Sequence, residues 1–169
     1  MPGAGRHHRR AGILRDGAAA PEEIVMAVEV SLIRKLVQGR LAEVKRVAAS
    51  RRERITLAER EYAAFLPAIA IPVFNAIAQA LSAEGHPYRV TTPGGGVRMA
   101  SERSARNFVD LRLDTSTAEP NVVVEFSRER GHRVLVDERV LGSGKPVSAL
   151  TDEDVVEILV GAVGELVER

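Results

Sequence analysis

The sequence predicts an α+β fold: N-terminal helices, a four- to five-stranded antiparallel meander, and a C-terminal helix packed on one sheet face. Three observations lead there. Apolar residues recur at helical spacing up to His86, they alternate with polar residues from Tyr88 to Glu138, and an acidic run at Asp152, Glu153 and Asp154 opens a last helical stretch. Strands grouped between helices, rather than alternating with them, indicate a segregated α+β arrangement.

The first helix is expected over 22–49. Pro21 precedes it and Glu22 and Glu23 fall in its first turn, where a fixed φ and negative charge both favour a helix start. Ile33, Val37, Leu41, Val44 and Ala48 make one apolar stripe, against Arg34, Lys35, Arg40, Glu43, Lys45 and Arg46 elsewhere on the surface. Ser50-x-x-Glu53 and Thr56-x-x-Glu59 both match a capping box, so a break is expected near 50–56. The alternative is one unbroken rod that pairs with a second copy. A second helical stretch over 57–84 carries Tyr62, Phe65, Ile69, Val73, Ile77 and Leu81 on one stripe and ends at Gly85. Pro67 and Pro72 each lack a backbone donor and crowd the preceding turn, so a kink or a short buried connector is expected between them.

Strands follow at 88–92, 97–101, 107–114, 121–128 and 133–138, separated by turn residues that include Gly94-Gly95-Gly96 and Gly131. Val109, Leu111 and Leu113 share one face and Asp110, Arg112 and Asp114 the other, which indicates a sheet with one wet face. Val122, Val124, Phe126, Val134 and Val136 are assigned to the inner face. Asp110, Arg112, Asp114, Glu125, Asp137 and Arg139 are assigned to the wet face as cross-strand ion pairs. The last helix starts at Thr151 and carries Val155, Leu159, Val163 and Leu166 inward.

Composition narrows function by exclusion. The 169 residues include no Cys, which removes disulfides, thiolate metal sites and Cys nucleophiles. Hydrophobic residues make up 45% and charged residues 28%, as in a soluble globular chain. No uninterrupted apolar run reaches the roughly 20 residues of a membrane helix, the longest being Ala63 to Ala70. Residues 1–20 read as a disordered basic tail without a secretory apolar region, and Met26 is an alternative start. The expected organisation is therefore this tail, an amphipathic helix over 21–56 and a compact α+β domain over 57–169, in the cytoplasm. The net charge of +1 hides an asymmetry, with 13 basic and 7 acidic residues in 1–60 against 11 and 16 in 61–169.

Candidate chemistry is sparse. Thr91 to Arg98 offers a Gly-rich turn that lacks the Lys and hydroxyl of a phosphate loop, and Gly142-Ser143-Gly144-Lys145 reads as a flexible linker. His86 and His132 sit at turns, with no carboxylate at metal-ligand spacing. No catalytic, cofactor-binding or metal residue is assigned, and no cofactor is expected. The reading is a protein–protein interaction or adaptor module, expected to be a homodimer through its N-terminal helices, with Tyr62, Phe65, Ile69 and Val73 as candidate interface residues. The alternative is nucleic-acid backbone binding through the basic stretch 40–60, with Arg46, Arg51, Arg52, Arg54 and Arg98 as anion contacts. It is less favoured because aromatic residues for base stacking are missing there. A small enzyme or ligand-binding domain with a pocket between sheet and helices comes third.

Overall fold

The computed structural model describes residues 21–167, with side chains from Glu29 onward; the tail expected over 1–20 lies outside the described residues. The chain divides into two compact units after Arg46. The described part of the first unit is helical and belongs to α1, which runs Pro21–Phe65. The second unit holds the end of α1, a π-helical turn Leu66–Ala70, α2 (Ile71–Ala83), strands β1 (Tyr88–Thr91), β2 (Val97–Ser101), β3 (Phe108–Asp114), β4 (Asn121–Arg130) and β5 (Arg133–Val140), then α3 (Asp152–Gly161) and α4 (Val163–Val167).

The break expected near 50–56 is absent. That segment contains neither Gly nor Pro, and the Arg54 guanidinium donates to Ser50 Oγ at 3.1 Å, using the hydroxyl that a cap would need. Arg51 donates to the carbonyl oxygens of Thr115 and Ser116 at 3.4 and 3.1 Å, and Arg54 pairs with Glu119 at 3.4 Å. These contacts to the β3–β4 loop hold the segment helical. The two prolines also act differently from expectation. The helix widens into the π-turn, whose Ile71 N–H donates to the Leu66 carbonyl five residues back. A wider turn accommodates a residue without a donor, and helical backbone continues into α2. Gly85, at φ 83°, then ends α2 in the left-handed conformation where glycine carries no steric cost.

The strands form one antiparallel meander in the order β1-β2-β3-β4-β5. Register sets the faces. Val97 lies opposite Leu111 and Leu111 opposite Val124; Met99 lies opposite Val109 and Val109 opposite Phe126. All six are buried, and with Phe74, Ala78 and Leu81 of α2 and Val155, Leu159 and Ala162 at α3 they form the core. The opposite face carries Arg98 on Asp110 at 2.6 Å and Arg112 on Glu125 and Glu138 at 3.3 and 2.6 Å.

β5 corrects the sequence reading. Arg130 pairs with Arg133 across the two-residue turn Gly131-His132, so Val134 falls opposite Glu129 and Val136 opposite Ser127. Both valines therefore share a face with Glu125, away from Val124 and Phe126. They are 44% and 61% exposed. Asp137 and Arg139 correspondingly leave the wet face: Arg139 lies 4.8 Å over the Phe126 ring and pairs with Glu165 at 3.0 Å.

Phe74 is the largest fully buried side chain. Phe74→Ala is expected to cost about 3–5 kcal/mol. Urea denaturation followed by circular dichroism checks this: a loss under about 1 kcal/mol would mean that α2 does not anchor the core.

Candidate functional site

The first unit presents an apolar surface. Val30, Leu32, Ile33, Leu36, Val37, Leu41 and Val44 of α1 are all exposed, from 51% at Val37 to 65% at Leu36. The stripe Val30, Ile33, Val37, Leu41, Val44, Ala48 advances by steps of three, four, four, three and four. Eleven residues in three turns is close to the natural pitch of a straight helix, so the stripe stays on one side without supercoiling. Gly39 has open space around it, and nothing in its surroundings demands glycine. The sequence revealed this stripe; its exposure required coordinates. Isolated apolar residues on a surface are ordinary, but a contiguous strip of them marks an interaction site.

The interface residues expected from sequence lie elsewhere. Tyr62 and Phe65 are 6% and 5% exposed, and Ile69 and Val73 pack against the same core. The Tyr62 hydroxyl donates to the Leu111 carbonyl at 3.3 Å, and burial raises its pKa. These four residues tie helix to sheet, so in this structure Tyr62 and Phe65 present no surface to a partner.

The candidate anion contacts do not converge. Arg46 is bidentate on Glu43, at 3.0 and 2.7 Å. Arg51 and Arg54 are bound to the 115–119 loop as described above. Arg98 lies on the open sheet face, paired with Asp110 and 4.3 Å over the Phe108 ring. Arg52 is exposed. The arginine-rich composition thus serves structure at four of these five positions, because guanidinium groups bind carboxylates and carbonyls in forked geometry.

A cleft of about 410 Å³ lies where β5 turns toward α3, lined by residues including Arg139, Ser143, Lys145, Asp154 and Glu157. The 142–145 segment, read as a flexible linker, is a fixed left-handed turn: Gly142 and Gly144 have φ of 60° and 83°, and Ser143 has φ 56°. A Cβ on Gly142 would stand 2.6 Å from a Leu150 methyl group. Lys145 Nζ is 2.8 Å from Asp154 Oδ1. That bond raises the Lys145 pKa and, together with the Thr151 backbone, lowers that of Asp154. The contact thus favours the charged form of both groups. Their work is structural: Thr151 Oγ accepts from Asp154 N and Asp154 accepts from Thr151 N, the reciprocal cap of α3.

No group of three or more metal-ligating side chains occurs among the described residues. Among the described residues one helical stretch, Glu29–Ala83, is long and apolar enough by length and composition to cross a membrane, although no uninterrupted apolar run within it is that long. Of its apolar window 28% is buried, and Phe65, Ala70, Phe74, Ala78 and Leu81 belong to the core.

Two outcomes follow for the α3 cap. Thr151→Ala is expected to cost about 0.5–2 kcal/mol by thermal or urea denaturation. Asp154 has a lowered pKa in the folded chain, so its stabilisation is present above the unfolded carboxyl pKa and is lost as pH falls through the folded value. The stability gap between wild type and Asp154→Asn should be widest near neutral pH and shrink as pH falls below the unfolded carboxyl pKa and through the lower folded one; a pH-independent gap would assign the cap to geometry alone. Compared with known proteins, the chain matches no family model, no curated protein and no solved structure.

Proposed function

We propose that this protein is a protein–protein interaction module that self-associates through its N-terminal helix. The observation that carries this reading is the exposed aliphatic strip of α1 from Val30 to Val44. Covering one Val or Leu of such a strip contributes about 1.5–3 kcal/mol. Association costs roughly 4–15 kcal/mol in lost freedom, so several residues must be covered together. Five large ones, Val30, Ile33, Val37, Leu41 and Val44, share one side over consecutive turns. Nucleic-acid binding is the weaker reading on this geometry, because Arg46, Arg51, Arg54 and Arg98 already hold partners in the chain.

Multi-angle light scattering over a concentration series tests the proposal. The wild-type chain is expected to run as a dimer at micromolar concentration. Leu41→Glu, in the middle of the strip, is expected to weaken the dimer by at least about tenfold while leaving the circular dichroism spectrum unchanged. A wild-type chain that stays monomeric, or a Leu41→Glu chain that stays dimeric, would overturn the reading.

A further inference from the structure

The apolar strip has a basic rim. Between Glu29 and Arg46 stand Arg34, Lys35, Arg40, Lys45 and Arg46 against two acids, Glu29 and Glu43. Of these, only Arg46 and Glu43 pair with each other among the described residues. At helical spacing Arg34 and Lys45 border one side of the stripe and Arg40 the other. Two such strips laid face to face would bring cations toward cations along much of their length, and like charges resist close pairing. The preferred partner surface is a helix face that is apolar and acidic.

The chain carries such a face. α3 contains Asp152, Glu153, Asp154 and Glu157 and no basic residue. Its inner side, Val155 and Leu159, is buried, while Val156 and Val160 are 40% and 52% exposed. Glu153, Val156, Glu157 and Val160 follow at steps of three, one and three within α3, which places them on one outward side. Gly161 and Gly164 have open space around them, so a second helix can approach closely there. Glu153 and Glu157 form no ion pair within 4 Å among the described residues, and both lie close enough to Lys145 to favour its charged form.

The geometry points to a reciprocal contact between two copies, in which the α1 strip of each lies on the outward face of α3 of the other. This rests on the self-association proposed above and names what the strip covers. Each contact joins aliphatic residues of α1 to Val156 and Val160, with Arg34, Arg40 and Lys45 set against Glu153 and Glu157. A closed pair makes the contact twice, which a two-turn face needs if the total is to approach the roughly 1,200 Å² of a stable interface.

Charge reversal on the full-length chain tests it. One variant carries Glu153→Lys and Glu157→Lys; the other carries Arg34→Glu and Lys45→Glu. Each alone places like charges across both contacts and is expected to weaken the dimer by at least about tenfold at low salt. An equimolar mixture of the two is complementary at both contacts, and light scattering should show the dimer mass restored. A misfolded variant would not be rescued by mixing, so rescue also reports folding. If the α3 variant stays dimeric while Leu41→Glu is monomeric, the strip pairs elsewhere and α3 docking is wrong, with self-association intact. If both reversal variants are monomeric but mixing restores nothing, the reciprocal contact is likewise overturned. A wild-type monomer would overturn both proposals.

Discussion

The buried columns Val97–Leu111–Val124 and Met99–Val109–Phe126 have to be kept from water, and the helices of the second unit, with Leu141, Val147 and Leu150 of the connection between β5 and α3, cover them. That requirement organises the unit. It places Phe74, Ala78 and Leu81 of α2 and Val155 and Leu159 of α3 on the same side of the sheet. It also brings polar anchors with it. The Tyr62 and Tyr88 hydroxyls donate to the Leu111 and Leu166 carbonyls, at 3.3 and 2.8 Å, so the buried phenol donors are paired. The opposite face carries charges that pair along the strands, in the sequence Arg98, Asp110, Glu125, Arg112, Glu138, beside the exposed Val134 and Val136.

Against this economy the first unit stands out. Its helix has an apolar strip as regular as the one buried in the core, and the strip faces solvent. A helix of this kind gains most of its stability from tertiary packing rather than from propensity. In the proposed pairing, the basic rim of α1 meets the acidic face of α3 across copies. The charge asymmetry between the two ends of the sequence then has a physical use.

Local signals in the sequence were legible. Alternation between Tyr88 and Val140 located five strands to within a residue or two, and Thr151 with the acids after it marked the cap of α3. What depended on distant residues was not legible. Helicity through 50–56 rests on Arg51 and Arg54 reaching a loop about 65 positions away, so two sound capping boxes gave the wrong expectation there. Burial of Tyr62 and Phe65 is likewise a tertiary fact. The face of β5 was legible in principle: a two-residue turn at Gly131-His132 fixes Arg130 against Arg133, and counting from that pair puts Val134 and Val136 outward. Hydrophobicity alone argued the other way. For the candidate site, the stripe could be read from spacing, while its lack of cover could not.

The π-turn between Pro67 and Pro72 has one more consequence, in rotational phase. Tyr62 and Phe74 both contribute to the core and stand twelve residues apart. In an uninterrupted helix, at about 100° per residue, they would point about 120° away from each other. A π-turn takes in one extra residue, which removes about 100° of that difference and leaves the two within about 20°. The prolines, which alone would merely interrupt a helix, mark the place where its clock is reset. Residues before and after the turn can thereby serve the same sheet, and a sequence that looks out of step on a helical wheel is in step in the folded chain.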